Sequence, residues 1–277
     1  MSNDLSPAVG KLLPNWVIHG ADRIMEYYIK RYLNCDPIVL DRPPAPEPGH
    51  QYMLYAHIPF CETLCTYCTF HRFLFKEYKA REYFVNLRKE MEYVKALGYD
   101  FTAMYIGGGT TTILEDELIK TIEHARRLFP GIKEVSCETD PAEIATPTFR
   151  NLKGLVDRMS IGVQSFDDRF LKALGRIHTA QEAERAVEAA LHCTANVNLD
   201  VMYALPGQTL EDVRRDLDAA LCAGTAHLSF YELTIEEGTA FAKRPPAGLP
   251  DIDLAADMGE MVHAALTRAG FEHYEIS

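Results

Sequence analysis

The run YMLYAHIPFCETLCTYCTF, residues 52–70, decides the fold, because an apolar strand candidate leads directly into three closely spaced cysteines. Cys61, Cys65 and Cys68 stand four and three residues apart, so a short loop can point all three sulfurs at one metal centre. Soft thiolates favour zinc or iron-sulfur clusters. A cubane cluster normally takes four cysteines. The run therefore predicts either a fourth ligand from outside the loop or a different metal.

A structural zinc site is the alternative that the spacing leaves open. His71 follows Cys68 by three residues and would complete a closed Cys3His set. His57 stays outside the ligand set, its alternative role being a hydrogen bond that fixes the loop. A disulfide framework is less favoured, since the seven cysteines are an odd number and no apolar secretory leader precedes them. These features indicate a reducing, cytoplasmic location.

Composition indicates one substantial catalytic domain. The 277 residues are 47% hydrophobic, which is enough to bury a sizeable core. No apolar run approaches the length of a membrane span. Lys and Arg number 28 against 40 Asp and Glu, and the resulting net charge of -12 disfavours nonspecific binding of nucleic acid.

The sequence before the opening run predicts a leading helix and a linker. Residues 14–33 form the helix candidate, with Trp16 and Ile24 among its apolar positions. DRPPAPEPGH follows at 41–50, where the prolines block helix and sheet alike.

Short apolar runs alternate with amphipathic stretches from Tyr52 onward. This alternation predicts parallel strands joined by crossover helices. Six strands are predicted, at 52–58, 101–107, 133–138, 157–163, 197–202 and 227–233. Apolar stripes such as Phe84, Leu87 and Met91 predict helices that face a core. The pattern favours a parallel β/α barrel, in which active sites gather at the carboxyl ends of the strands.

Ser/Thr-x-x-acid signatures predict the starts of three helices. The pairs are Thr112 with Glu115, Thr179 with Glu182 and Thr209 with Asp212. Because these polar side chains have a structural use, we do not assign them to the site.

A glycine-rich segment, YIGGGT at 105–110, ends the second predicted strand. Glycines let a ligand approach the backbone closely. The alternative is a tight turn before the next helix, and three glycines alone are a weak signal. The absence of a complete GxGxxG argues against a dinucleotide fingerprint.

Four polar side chains lie at or near the ends of other predicted strands. They are Glu138 in SCETDP, Gln164 in SIGVQSFDD, Arg176 in LGRIH and Asp200 in NLDVMYALPGQT. Polar groups in such places need partners. In one interpretation Arg176 satisfies Glu138 or Asp200 in an internal network without a ligand. In the other, a zwitterionic ligand binds between an acid and a base, and the two interpretations are compatible.

These segments together resemble the radical S-adenosylmethionine (SAM) superfamily, and within it the oxygen-independent coproporphyrinogen III oxidase-like group. YAHIPFCETLCTYCTF, GVQSF and LPGQT carry the likeness. The resemblance implies an open, partial (β/α)6 TIM-like barrel with an N-terminal helical extension. It also implies a [4Fe-4S] cluster held by Cys61, Cys65 and Cys68, with SAM at the open iron.

The resemblance further implies which side chains contact SAM. Gly108 to Thr110 would meet the methionyl amino end, through exposed amides that bind a carboxylate or orient an amine. Glu138 and Arg176 would engage the charged methionine part, while Gln164 and Asp200 face the sugar. Tyr55 is also assigned a catalytic role, against the alternative of an ordinary half-buried strand tyrosine. The full predicted set is Tyr55, Tyr67, Gly108, Gly109, Thr110, Glu138, Gln164, Arg176, Asp200 and Thr234.

The reaction implied by this likeness is reductive cleavage of SAM to methionine and a 5'-deoxyadenosyl radical that abstracts hydrogen from substrate. The expected partners are a tetrapyrrole or related substrate and an electron donor such as flavodoxin or ferredoxin. Thr69 and Phe70 depart from the oxidases proper, which carry a further cysteine two residues after the third. A haem chaperone of the same family is therefore the second hypothesis.

Related chains continue beyond FEHYEIS, so the resemblance also implies a missing C-terminal domain. The predicted segments are an N-terminal helix with linker, a radical SAM core and the start of a truncated C-terminal region: 1–50, 51–240 and 241–277.

Overall fold

The computed structural model describes residues 24, 27, 28, 31, 42–143 and 146–275, with only the backbone at 143, 146 and 147. The chain divides into two compact units, Met1–Pro44 and Ala45–Ser277. In the first unit, Ile24, Tyr27, Tyr28 and Arg31 are helical, as the predicted leading helix requires; its remaining residues, with Trp16, lie outside the described part.

The described part of the second unit contains eight strands, which are β1 Met53–Ile58, β2 Phe60–Cys61, β3 Phe73–Leu74, β4 Ala103–Gly108, β5 Glu134–Thr139, β6 Arg158–Gln164, β7 Asn196–Tyr203 and β8 His227–Glu232. Six of them form a parallel sheet at its centre, in the order β1-β4-β5-β6-β7-β8. A separate parallel ladder joins the two short strands β2 and β3.

Helices connect the strands of the sheet. They are α1 Glu77–Ala96, α2 Glu115–Leu128, α3 Thr146–Leu152, α4 Asp168–Leu174, α5 Ala180–Cys193, α6 Leu210–Cys222, α7 Ala240–Lys243 and α8 Ile252–Arg268. One 3-10 turn, Pro141–Glu143, follows β5. Parallel neighbours need such crossovers, because a two-residue hairpin can only join antiparallel strands.

The prediction of six parallel strands is confirmed, with each strand within two residues of its expected bounds. The order places β1 and β8 at the two ends, and no ladder joins them within the described residues. The sheet is therefore an open partial barrel. Since all its pairs are parallel, the carboxyl ends of its strands meet at one edge.

The core lies between this sheet and its crossover helices. Phe84, Leu118 and Ile122 from α1 and α2 are fully buried, as the apolar stripes predict, and they belong to the same cluster as Ile106 and Ile161 from the sheet. Burying one such side chain stabilises the fold by about 1.5–3 kcal/mol. Among the residues that the structure describes, no helix is long and apolar enough to cross a membrane.

Two of the three predicted helix starts are confirmed. Thr179 and Thr209 each form a complete capping box with the acid three residues later. The prediction for Thr112 is wrong, because α2 begins at Glu115 with Leu114 at the N-cap. The Thr112 hydroxyl is buried and has no hydrogen-bond partner in the described part of the chain. The preceding turn thus ends two residues too late for a Thr112 cap.

Candidate functional site

One cavity of about 1350 Å³ gathers most of the predicted site residues. All three cysteines of the motif line it. The other predicted residues in its lining are Tyr67, Gly108, Gly109, Thr110, Glu138, Gln164, Arg176, Asp200 and Thr234.

The cysteine loop, residues 62–72, begins after Cys61 at the end of β2 and ends at Phe73, where β3 begins. The parallel ladder between β2 and β3 closes its base. Thr66 fastens its middle to α4, since the Thr66 amide and hydroxyl both donate to the Leu174 carbonyl, at 3.2 and 2.9 Å. The Arg72 guanidinium donates to the carbonyls of Cys65 at 2.9 Å and Phe70 at 3.2 Å. These hydrogen bonds therefore fasten both the middle and the end of the loop.

The three thiols are free and partly buried. Burial raises the pKa of Cys61 to about 11, against the hydrogen bond from Thr110 and the charge of Arg72. Burial also raises the pKa of Cys68. These thiols keep their protons near neutral pH, so a bound metal must displace them.

The zinc alternative does not fit the geometry. His71 lines a different groove from the cysteines. In the described ranges, no group of three or more His, Cys, Asp or Glu side chains is placed to hold a single metal ion. An iron-sulfur cluster spreads its ligands over several irons and takes thiolates. Three cysteines facing one roomy cavity fit such a cluster.

His57 makes the structural hydrogen bonds proposed as its alternative role. Its Nε2 lies 2.7 Å from the carbonyl oxygen of His71, and its Nδ1 lies 2.9 Å from the Tyr55 hydroxyl. Both ring nitrogens are engaged, so His57 ties β1 to the end of the cysteine loop.

The glycine segment allows close approach but leaves few amides free. The Gly109 and Thr110 amides donate to the Ile58 and Phe60 carbonyls at 2.8 and 2.7 Å. A Cβ at Gly109 would lie 2.6 Å from the Phe60 carbonyl oxygen and 2.8 Å from the Cys61 sulfur. The expectation of exposed amides is thus wrong. These amides instead bind the segment of β1 and β2 that leads into the cysteine loop.

Glu138 faces the cavity from the end of β5. It accepts hydrogen bonds from the Tyr105 hydroxyl at 2.7 Å and the Gly108 amide at 3.1 Å. Burial, followed by the bond to this carboxylate, raises the pKa of Tyr105. The hydroxyl therefore stays protonated and keeps Glu138 oriented. Tyr105 also lines the cavity and was not among the predicted residues.

Arg176 is paired, though with neither of the two acids predicted for it. Its Nη2 lies 2.6 Å from Asp140 Oδ2 and also donates to the Gly162 carbonyl at 2.6 Å. Its Nη1 lies 3.6 Å from the Cys65 sulfur. Burial pushes the pKa of Asp140 up, but the charge of Arg176 together with hydrogen bonds from His178 and the Ala142 amide holds that pKa below its ordinary value.

Sequence reasoning missed Asp140, although one signal was available. Asp140 stands two residues after Glu138, and alternate residues of an extended chain point to the same side. The pair fixes the guanidinium beside the cysteine loop, and Arg176 Nε is buried with no partner among the described residues.

Gln164 ends β6 in a left-handed backbone conformation, with φ of 68°. This conformation is uncommon for a residue other than glycine. The Gln164 side chain accepts a hydrogen bond from the Tyr231 hydroxyl on β8. The ladder to β7 is irregular between Ile161 and Gln164. The strained end therefore aims an amide into the cavity.

Asp200 is satisfied by a polar network across three strands. It accepts from Ser160 at 3.0 Å and Asn198 at 2.8 Å. Burial raises the pKa of Asp200, and the bonds from Asn198, Ser160 and Ser229 oppose that rise. The carboxylate is thus held in place before any ligand binds.

The remaining predicted residues differ in position. Tyr67 packs against the Phe170 and Leu174 cluster beneath the loop, and burial raises its pKa. Thr234 is exposed at the rim. Tyr55 does not line the cavity; its ring stacks on Tyr105 with centroids 6.0 Å apart. Its contact with a ligand and its catalytic role stay predictions.

A buried carboxylate, Asp216 on α6, holds two loops that follow strands of the site. It accepts from the Ser165 hydroxyl at 2.9 and 3.1 Å and from the Phe166 amide at 2.7 Å. Gln208 donates to it at 3.4 Å and also accepts from the Leu205 amide at 3.0 Å. We call this set the Asp216 clamp, since it joins the loops that follow β6 and β7.

The cavity therefore combines three cysteine thiols with the fixed guanidinium of Arg176 and the oriented carboxyl groups of Glu138 and Asp200. Such a site can bind a thiolate-ligated metal centre beside a molecule that carries both charges.

Known proteins resemble this chain in both sequence and fold. The sequence model of the radical SAM superfamily matches residues 55–220. The haem chaperone HemW of Escherichia coli strain K12 is 39% identical over 232 residues, which cover 81% of this chain and 61% of that protein. HemW of Bacillus subtilis strain 168 is 35% identical over 237 residues, covering 80% and 62%. This chain thus spans less than two thirds of the length of these relatives.

Among solved structures, the coproporphyrinogen III oxidase HemN of Escherichia coli, described as a radical SAM enzyme, has a similar fold. The TM-score is 0.75 at 26% identity, and the match covers 82% of this chain and 54% of HemN.

Proposed function

This chain belongs to the radical SAM superfamily, and from that premise we propose that it binds a [4Fe-4S] cluster and SAM in a protein that handles haem. Cys61, Cys65 and Cys68 would hold three irons, leaving the fourth for SAM. The carrying observation is that these thiols share one cavity with the held charges of Glu138 and Arg176.

SAM offers an amine, a carboxylate, a sugar and an adenine. Glu138, fixed by Tyr105 and Gly108, suits the amine. Arg176 suits the carboxylate, because Nε remains unpaired in the described chain while Asp140 fixes the guanidinium. Asp200 and Gln164 would face the sugar of SAM, and Thr234 would contact SAM from the rim of the cavity. Tyr67, which lines the same cavity as the three cysteines, would contact the bound cofactor.

Cluster and SAM, when bound, would supply one-electron chemistry at the sulfonium. This chain's own residues would orient the methionine part, and the walls of the cavity would exclude water. Positioning of this kind needs side chains that do not move on binding. Asp200 and Glu138 meet that requirement, since their partners hold them already.

The haem-handling role rests on the relatives. The HemW proteins are named haem chaperones at 35% and 39% identity, whereas the oxidase HemN is 26% identical. Phe70 also stands where the oxidases proper carry a further cysteine. Radical oxidation of a tetrapyrrole is the second candidate function, favoured by the TM-score of 0.75 to HemN.

The decisive experiment is electron paramagnetic resonance of the full-length, anaerobically reconstituted and dithionite-reduced protein, with and without SAM. A cluster signal that changes on adding SAM supports the proposed site. A signal indifferent to SAM contradicts it. Production of 5'-deoxyadenosine with a tetrapyrrole would favour the oxidase; haem binding without that product would favour the chaperone.

The partners and layout follow as parts of the same proposal. A reducible cluster needs an electron donor such as flavodoxin or ferredoxin. Free thiols that bind metal suit the reducing cytoplasm. The segments 1–50, 51–240 and 241–277 would be the N-terminal extension, the barrel core and a C-terminal region.

A further inference from the structure

A second cavity, the outer groove, lies between the β2–β3 ladder and helix α1. Its volume is about 770 Å³, within the range of about 300–1,000 Å³ that is usual for ligand sites. It shares no lining residue with the cysteine cavity. It is therefore a separate place for a ligand, on the outside of the cysteine loop.

The walls of the outer groove are apolar and exposed. Phe73, Leu74 and Tyr78 are 52%, 56% and 67% exposed, although all three are large. Adjacent exposed apolar side chains of this size indicate a surface that binds something. Two aromatic rings and a leucine suit a flat apolar ligand.

One imidazole in the groove is free to coordinate. His71 is exposed, and its ring nitrogens make no hydrogen bond that the structure describes. The neighbouring His57 differs, since both its nitrogens are engaged. The two rings are 6.2 Å apart. His71 therefore carries an unused metal ligand at the edge of an apolar surface.

Two lysines supply positive charge beside this surface. Lys76 and Lys79 line the groove, and neither has an ion-pair partner within the described part of the chain. Glu82 is the acid in the lining. Both lysine side chains are exposed. Such a pair attracts a ligand with carboxylates.

We propose that the outer groove is a binding site for ferric haem, a flat apolar ring that carries two carboxylates and a metal. Phe73, Leu74 and Tyr78 would cover the ring, and Lys76 and Lys79 would pair with the carboxylates. The lone pair of a His71 nitrogen would form a coordinate bond to iron and displace a water ligand, without transfer of electrons. The inference rests on the proposed haem-handling role and gives it a place.

The test is a titration of the full-length, cluster-loaded protein with haemin, followed by difference absorbance, beside a titration with metal-free protoporphyrin. His71→Ala should weaken haemin binding by about tenfold and leave protoporphyrin binding unchanged. Lys76→Glu combined with Lys79→Glu should weaken both by about tenfold. The matched controls are His192→Ala and the double variant Lys89→Glu with Lys133→Glu, all exposed and outside the groove.

Wild-type haemin affinity in both groove variants would overturn the proposal while leaving the haem-handling role intact. Absence of haemin binding in the wild type would reject both, yet the SAM-dependent cluster signal would still report on the cysteine site. The molecular mass, measured by light scattering, tests whether a second copy of the chain occupies the groove instead. A dimer that Leu74→Asp separates, without change in haemin affinity, assigns the groove to a second copy of the chain and overturns the haem site.

Discussion

The cysteine loop lines the cavity, and the Asp216 clamp joins the loops that follow β6 and β7, two strands that line the same cavity, yet the two regions are held in opposite ways. In the clamp, Ser165 and Asp216 are 0% and 2% exposed, and every donor has an acceptor. The cysteine loop depends on Thr66 and Arg72, and burial raises the pKa of the Cys61 and Cys68 thiols. Folding alone completes the clamp, whereas it leaves all three thiols of the motif free.

This difference separates two kinds of energy. A buried polar network contributes to the stability of the metal-free protein and is costly to break. A loop whose ligands meet only through a metal gains its order from binding free energy. Changes in the loop should therefore affect cluster content, and changes in the clamp should affect unfolding.

The largest expected effect is on iron. Replacing Cys61, Cys65 or Cys68 by Ala should abolish stable cluster assembly, because each leaves one iron without a protein ligand. Iron and sulfide per chain after anaerobic reconstitution measure this. Cys222→Ala, at an exposed position outside the cavity, is the control and should keep the wild-type content. Equal iron in all four variants would remove the ligand assignment.

The second prediction concerns pH and the clamp. Burial raises the pKa of Asp216 to about 6, against the hydrogen bonds from Phe166 and Ser165 and with added repulsion from Asp167 and Asp212. In the unfolded chain the pKa is near 3.9. Between these values the folded protein holds a proton that the unfolded chain has released, so stability falls as pH rises.

Asp216→Asn removes this titration. Relative to that variant, the wild type should lose about 3 kcal/mol of unfolding free energy between about pH 4 and pH 7, from about 1.4 kcal/mol per unit of pKa shift. Urea unfolding of the metal-free chain followed by circular dichroism measures it. Asp218→Asn, exposed on the same helix, serves as control. Parallel pH profiles for wild type and Asp216→Asn would show that the carboxylate is not held as described.

The smallest expected effect sharpens the comparison from the side of the loop. Thr66→Val removes the hydroxyl bond to Leu174 but keeps the amide bond. We expect a loss of about 1 kcal/mol in unfolding free energy, with unchanged iron content after reconstitution. A large loss of iron would mean that Thr66 shapes the loop before the metal arrives, contrary to the contrast drawn here.

The sequence predicted the sheet well because its central strands are mostly buried on both faces. Runs such as MSIGV and VNLDVM need only be apolar and bounded by turns, which local sequence records. The site was predicted as a set of positions, and nine of the ten SAM-binding candidates line one cavity. Tyr55 is the exception, since its orientation depends on packing against Tyr105 and His57.

Partners were harder to predict than positions. Arg176 pairs with Asp140 because the turn after β5 carries that acid past Glu138. Thr112 fails to cap α2 because the turn before the helix is longer than the signature assumes. Arg72 gave no local signal at all. Each of these outcomes depends on distances across the fold, which spacing along the chain does not contain.

The contact of Gly109 with Cys61 has a consequence for how this protein can evolve. Any side chain at 109 would collide with the Phe60 carbonyl and with the Cys61 sulfur. Position 109 and the chain at residues 60 and 61 can therefore not accept substitutions independently. A descendant that replaces Gly109 would also need a different backbone path at residues 60 and 61, so a substitution at one position requires a compensating change at the other.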